Sequence, residues 1–116
     1  MSENNNTGRK GEDLATEFLI RNGYEVLRRN FTFRRCEIDI IAQKDDWLLF
    51  VEVKTRTSVD FGHPEEFVEA AQAGRIMHAA EEFIFTSNWH GHIRFDIISV
   101  TLNDIPSILH FEDAIN

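Results

Sequence analysis

The sequence predicts an α/β domain in which a mixed central sheet is flanked by helices, in the order α-β-β-β-α-β with a short further strand at the end. Three observations predict it. Apolar residues recur at helical spacing in two well-separated stretches, near residues 14–19 and 67–83. Between and after them lie runs rich in Val, Ile and Phe, of strand length and bounded by turn residues. Two of those runs are apolar on both faces, as strands in the middle of a covered sheet are.

Residues 1–7 are polar and Asn-rich and are expected to form a disordered tail, leaving 8–116 as a single domain. The first helix is expected over Gly8 to Asn22, with Leu14, Ala15, Phe18 and Leu19 as its buried stripe and Gly23 as its stop. Tyr24 to Phe33 reads as the first strand, Cys36 to Ala42 as the second and Trp47 to Lys54 as the third, with a polar turn between the last two. After a loop containing Gly62, Pro64 suits the first position of a helix, and Glu65 and Glu66 favour its N-terminus. That helix is expected to reach about Phe85, offering Phe67, Ala71, Ile76, Ala79, Ala80 and Phe83 for burial. Asn88 to Gly91 reads as a turn, His92 to Leu102 as a fourth strand and Ser107 to Phe111 as a short fifth.

The 116 residues provide for one core, and an apolar content of 42% with ten phenylalanines is ordinary for a globular chain. The longest apolar runs are too short to span a bilayer, the first ten residues do not resemble a signal peptide, and the lone Cys36 suits a reducing compartment. A cytoplasmic protein without membrane partners is the expectation. The net charge of −8 weighs against nucleic acid as a partner, but it is unevenly spread. Residues 1–56 hold ten Lys/Arg against ten Asp/Glu, whereas residues 57–116 hold two against ten. Arg9-Lys10, Arg28-Arg29, Arg34-Arg35, Lys54 and Arg56 could form a basic face beside an acidic back. The plainer alternative is that they are solvated surface charges.

Glu37, Asp39, Glu52 and Lys54 interrupt the two most apolar strands. A charge buried without a partner costs several kcal/mol, so such a group of four calls for compensation. If Asp45-Asp46 forms a two-residue hairpin turn, Asp39 falls opposite Glu52 and Lys54 shares the face of Glu52. Two carboxylates that close repel unless a cation or proton lies between them. On these residues alone, a metal site and a salt bridge of Lys54 on a solvated face stand about level.

The residues match a family. Asp39 followed by Glu52-Val53-Lys54 resembles the PD-(D/E)XK superfamily of restriction-endonuclease-like nucleases. More narrowly, the sequence resembles the YraN-like family of uncharacterised bacterial proteins, itself similar to archaeal Holliday junction resolvases. The segments that carry the resemblance run nearly end to end: Gly8 to Glu12, Asn22-Gly23-Tyr24, Glu37 to Ala42, Phe50 to Arg56, Phe61 to Pro64, Arg75-Ile76 and Arg94-Phe95-Asp96. The resemblance implies a restriction-endonuclease-like mixed sheet and a metal-dependent endonuclease that hydrolyses DNA phosphodiesters, at branched or structured DNA such as Holliday junctions. It implies that Asp39, Glu52 and the Val53 carbonyl ligate Mg²⁺ or Mn²⁺. Lys54 would orient or activate the attacking water, and Glu12 would reach the metal directly or through water. Arg56 and Arg75 would contact phosphate, with Gln72 beside them. Two positions depart from the resembled pattern: Cys36 stands where Gly is usual, and Gln72 stands where Lys is usual. Cutting both strands of a junction would call for a homodimer, since one chain holds one such site.

Two rival functions remain at this point. A non-catalytic module could keep the nuclease fold and grip nucleic acid, a reading that Gln72 and the acidic charge favour. A protein-interaction domain has only the acidic second half in its support. His90 and His92 lack a cysteine pair and read as turn residues before zinc ligands. His63 reads as shaping the turn before Pro64, and Cys36 as a small core residue before a nucleophile. Phe31, Phe33, Trp47 and Trp89 read as packing or interface residues before base-stacking ones.

Overall fold

The computed structural model describes residues 3–57 and 69–115, with side chains from Asn6 onward. The chain folds as α1 (Glu3–Arg21), β1 (Glu25–Phe33), β2 (Cys36–Lys44), β3 (Trp47–Arg56), α2 (Ala70–Ser87), β4 (His92–Thr101) and β5 (Ser107–Phe111). The five strands make one mixed sheet in chain order: β1, β2 and β3 antiparallel, β3 and β4 parallel, β5 antiparallel to β4. The parallel step follows from α2, since strands joined by a helical crossover run the same way. The α/β class and the element order agree with the sequence reading.

Helix boundaries differ from it. α1 begins at Glu3 and not at Gly8, so residues 3–7 are helical where a loose tail was expected. Nothing in that stretch forbids a helix: it holds no proline, and asparagine is only moderately unfavourable. Adding a turn to a helix already held by packing costs far less than nucleating one. α2 begins at Ala70, after Glu69 in extended backbone. The expected earlier start at Pro64, and His63 and Phe67 with it, lie outside the described residues. The stops are as expected. Gly23 takes a φ of 90°, and Asn88 closes α2 in the left-handed conformation with its N–H turned back to Ile84 and Phe85 carbonyls.

The sheet is covered on both faces. On one, Ala15 and Leu19 of α1 pack on Ile40, Ala42, Leu49, Val51, Ile98 and Val100. On the other, Ala73, Ile76, Ala79, Ala80 and Phe83 of α2 pack on Cys36, Ile38, Ile41, Leu48, Phe50 and Ile97. Ala71, expected in the core, is exposed on the opposite side of α2. Cys36 and Ile38 therefore lie under α2 while Ile40 and Ala42 lie under α1. Regular alternation would put all four on one side. The phase slips at Asp39. Opposite it, β1 is also irregular: Arg29 pairs with Ile40 and Phe31 with Ile38, and the intervening Asn30 has a φ of 54°. Both strands break step at the same level, beside the candidate site.

Candidate functional site

The β2–β3 hairpin turns on Asp45-Asp46, with Asp45 left-handed, and its ladder runs from Lys44↔Trp47 to Ile40↔Val51. It stops one pair short of Asp39 and Glu52. There Asp39 Oδ2 accepts the Val53 N–H at 2.8 Å, so a side-chain oxygen takes the place of a strand carbonyl. Asp39 is thereby fixed to the backbone of the residue between Glu52 and Lys54.

The site has two sides. On the α1 side, a pocket of about 410 Å³ is lined by Glu12, Asn30, Glu37, Asp39, Val53 and Thr55, together with Thr7 and Gly8 of α1. α1 comes close here because residue 11 is glycine: a Cβ at that position would collide with the Thr55 side chain. On the α2 side, Glu52 is buried, and its Oε2 accepts from Gln72 Nε2 at 2.7 Å. Lys54 Nζ donates to Gln72 Oε1 at 3.3 Å and stands 3.5 Å from Glu52 Oε2. The amide of Gln72 thus joins the carboxylate to the ammonium. A lysine there could not serve as the acceptor.

The electrostatics converge on Asp39. Burial, followed by the nearby Glu52 charge, pushes its carboxyl up to about 8, and Glu12 and Glu37 add to the rise, against the lowering by the Val53 N–H. Glu12 is held from β1. Arg29 Nη2 reaches Glu12 Oε1 at 3.0 Å and Asp13 Oδ1 at 2.8 Å, and Asn30 Nδ2 reaches Glu12 Oε1 at 2.8 Å.

The structure brings Glu12, Asp39 and Val53 to one pocket, and Glu52, Lys54 and Gln72 to one bonded group directly behind it. Lys54 shares its side with Glu52, as the hairpin register implied, but the expected shared face of Asp39 and Glu52 is not formed: the ladder ends at Ile40↔Val51, and Asp39, bonded to the Val53 N–H, opens toward α1. Arg56 lies half-buried at the end of β3, and Arg75 is exposed on α2. Asn30 was not singled out from sequence, and Arg29 only as half of a basic pair on a candidate basic face, not as a partner of Glu12. A basic-polar pair in a mixed strand gives no signal until the strand pairing places it beside Glu12. Among the described residues, no three His, Cys, Asp or Glu side chains are gathered as a metal cage. His92 instead stacks on Trp47 and stands 3.7 Å from Asp46. The donor set at Asp39 fits Mg²⁺ or Mn²⁺ better than zinc, because Mg²⁺ takes one or two carboxylates and keeps several waters.

A second polar cluster lies on the α1 face of β4. Asp96, fully buried, accepts Arg94 Nε at 2.9 Å and the Asp113 N–H at 2.9 Å, and shares a 2.7 Å bond with His110 Nε2. Burial alone would raise this carboxyl, but the His110, Arg94 and Asp113 bonds together lower it. Arg94 also donates to Tyr24 Oη at 3.2 Å, tying β4 to the start of β1. The Arg94-Phe95-Asp96 segment of the sequence is thus a buried structural knot. Among the described residues no helix is long and apolar enough to cross a membrane.

Comparison with known proteins matches residues 11–100 to a model of the uncharacterised protein family UPF0102. A UPF0102 protein of Flavobacterium psychrophilum is 48% identical over 115 residues, covering 98% of this chain and 97% of that protein. One from Dictyoglomus thermophilum is 44% identical over 114 residues, covering 97% of each, and one from Christiangramia forsetii is 37% identical over 115 residues. Matches of this identity and coverage leave no ambiguity of kinship: the chain belongs to the UPF0102 family.

Proposed function

We propose that the protein is a metal-dependent endonuclease of the restriction-endonuclease-like kind, acting on DNA phosphodiesters at branched or structured sites such as Holliday junctions. One observation carries the reading. Asp39 is anchored to the Val53 N–H while burial and three neighbouring carboxylates push its pKa up to about 8. A carboxylate so placed gains most from a cation, which would relieve the repulsion and desolvation together. Asp39 with the Val53 carbonyl would hold Mg²⁺ or Mn²⁺, Glu12 would bind it or its water across the pocket, and Glu52, which lies behind the pocket bonded to Gln72, would join them by turning its carboxylate from Gln72 toward Asp39. The cation would supply positive charge to a phosphate under attack. Lys54, 3.5 Å from Glu52, would orient the attacking water, and Arg56 and Arg75 would contact flanking phosphates. Two chains would be needed to cut two strands.

The order of Asp39, Glu52 and Lys54, and their place where the pairing of two adjacent central strands stops, supports this reading beyond the fold itself, which hosts many functions. One observation favours a second reading. The Gln72 amide occupies Glu52 and Lys54 at once, as it would in a module that keeps the fold and grips nucleic acid without cutting it. Labelled linear, flap and four-way junction DNA, incubated with Mg²⁺, with Mn²⁺ and with chelator, separates the two. Metal-dependent cleavage supports the enzyme. Retention of DNA without cleavage supports the binding module, and neither outcome on any substrate removes both.

A further inference from the structure

The three donors that β1 presents to Glu12 all end on the same oxygen. Arg29 Nε and Nη2 lie 3.3 and 3.0 Å from Glu12 Oε1, and Asn30 Nδ2 lies 2.8 Å from it. Among the described residues nothing bonds Glu12 Oε2. Glu12 itself lines the pocket above Asp39, with its side chain only 14% exposed. A carboxylate that merely fastened a helix to a strand would gain more from a fork-to-fork pair using both oxygens. Arg29 divides its guanidinium between Glu12 and Asp13, whereas the Asn30 amide is committed to Glu12. A carboxylate can only accept, so the nitrogen of Asn30 must face it.

Asn30 reaches this position through an unusual backbone. It sits mid-strand with a φ of 54°, where a side chain other than Asn, Asp or Gly is disfavoured. The break in alternation it creates lies across from Asp39 in β2. Without that break, consecutive residues of β1 would point to opposite faces, and Arg29 and Asn30 could not both reach Glu12.

We propose that Asn30 is a positioning residue of the nuclease site: with Arg29 it holds Glu12 Oε1 and so leaves Oε2 to meet a divalent cation, or its water, over Asp39. The inference rests on the proposed function and deepens it. Partners of this kind behind a metal-binding group typically change metal affinity by about tenfold or more.

Two variants separate positioning from a backbone role. Asn30→Gly removes the amide and accepts the left-handed conformation. Asn30→Ala removes the amide and strains it. If Asn30 positions Glu12, both variants bind Mn²⁺ about tenfold more weakly by calorimetry, while only Asn30→Ala melts appreciably lower than wild type. If Asn30 serves the backbone alone, Asn30→Gly binds Mn²⁺ as wild type does, and the inference is overturned while the nuclease reading stands. A wild type that binds no Mn²⁺ removes the nuclease reading and this inference with it. A readout without metal is the Glu12 side chain, followed by its χ1 couplings in solution. One rotamer in wild type and averaging in Asn30→Gly are expected; a single unchanged rotamer in both overturns the clamp.

Discussion

Replacing Asp39 by asparagine in chelator should stabilise the protein at neutral pH, and the gain should vanish in acid. In the folded chain this carboxyl is pushed from 3.8 up to about 8, first by burial and then by Glu52. Between those values the folded state binds a proton that the unfolded chain has released, so stability falls as pH rises through the window. The slope approaches about 1.4 kcal/mol per pH unit, and by pH 7 the loss amounts to an upper bound of about 4 kcal/mol. Asparagine keeps an oxygen to accept the Val53 N–H but brings an amide that must find its own partner, so a net gain of about 1–3 kcal/mol is the expectation. For a chain of this size that is a rise of roughly 5 °C or more in Tm. Melting curves of both proteins from about pH 5 to pH 8 in chelator measure it, with the difference widening as pH rises. A variant that melts lower than wild type by a constant amount at every pH would refute the reasoning. It would mean that Asp39 is ionised and held by a cationic partner such as Lys54.

Other outcomes follow from the remaining contacts. Gly11→Ala forces α1 off Thr55 and should cost about 1–3 kcal/mol, read as a lower Tm; an unchanged Tm would show that the helix can shift without penalty. Asp96→Asn leaves the Arg94 charge short of its buried partner and should cost about 3–5 kcal/mol in urea unfolding, and a loss within the range of ordinary surface substitutions would contradict that. Because the Asp96 carboxyl is lowered on folding, its contribution is present above the ordinary aspartate pKa and is lost as pH falls through the folded value. Acid titration should therefore separate wild type from this variant. Gln72→Lys places an ammonium against Glu52 and removes the acceptor for Lys54, so Mn²⁺ affinity should drop severalfold; an equal or tighter affinity would show that Gln72 does not govern Glu52. Arg56→Ala should weaken DNA binding and lower the salt slope by about one; identical salt titrations would take Arg56 out of the interface.

The sheet was legible because its central strands are apolar on both faces and its turns are chemically explicit. Asp45-Asp46 set the hairpin register, and Gly23 and Asn88 marked the helix ends. The interruption of those strands by Asp39, Glu52 and Lys54 pointed to the site, since charged groups in such strands need compensation. What could not be read was the phase slip. Cys36, Ile38, Ile40 and Ala42 form a regular alternating series in sequence, yet the helices divide them between two cores. The cause is a break in backbone alternation at Asn30, whose φ of 54° faces Asp39 across an otherwise unshifted register and shows only in the assembled ladder. The same irregularity brings Asn30 and Arg29 to Glu12, so the clamp was hidden with it. The first turns of α1 were missed for a different reason: polar Asn-rich sequence has no amphipathic stripe, and its helicity is inherited from the packed turns that follow.

The central claim is that Asp39 and Glu52 share one divalent cation. Calorimetric titration of Mn²⁺ into wild type and into Glu52→Gln tests it most directly. Glutamine keeps the size of the side chain and an oxygen for Gln72, and removes the charge that faces both the cation site and Lys54; melting curves in chelator show that the variant is folded. One Mn²⁺ per wild-type chain is predicted, with affinity at least about tenfold weaker in the variant. Absence of binding heat in wild type, or equal affinity in the two proteins, would contradict the account.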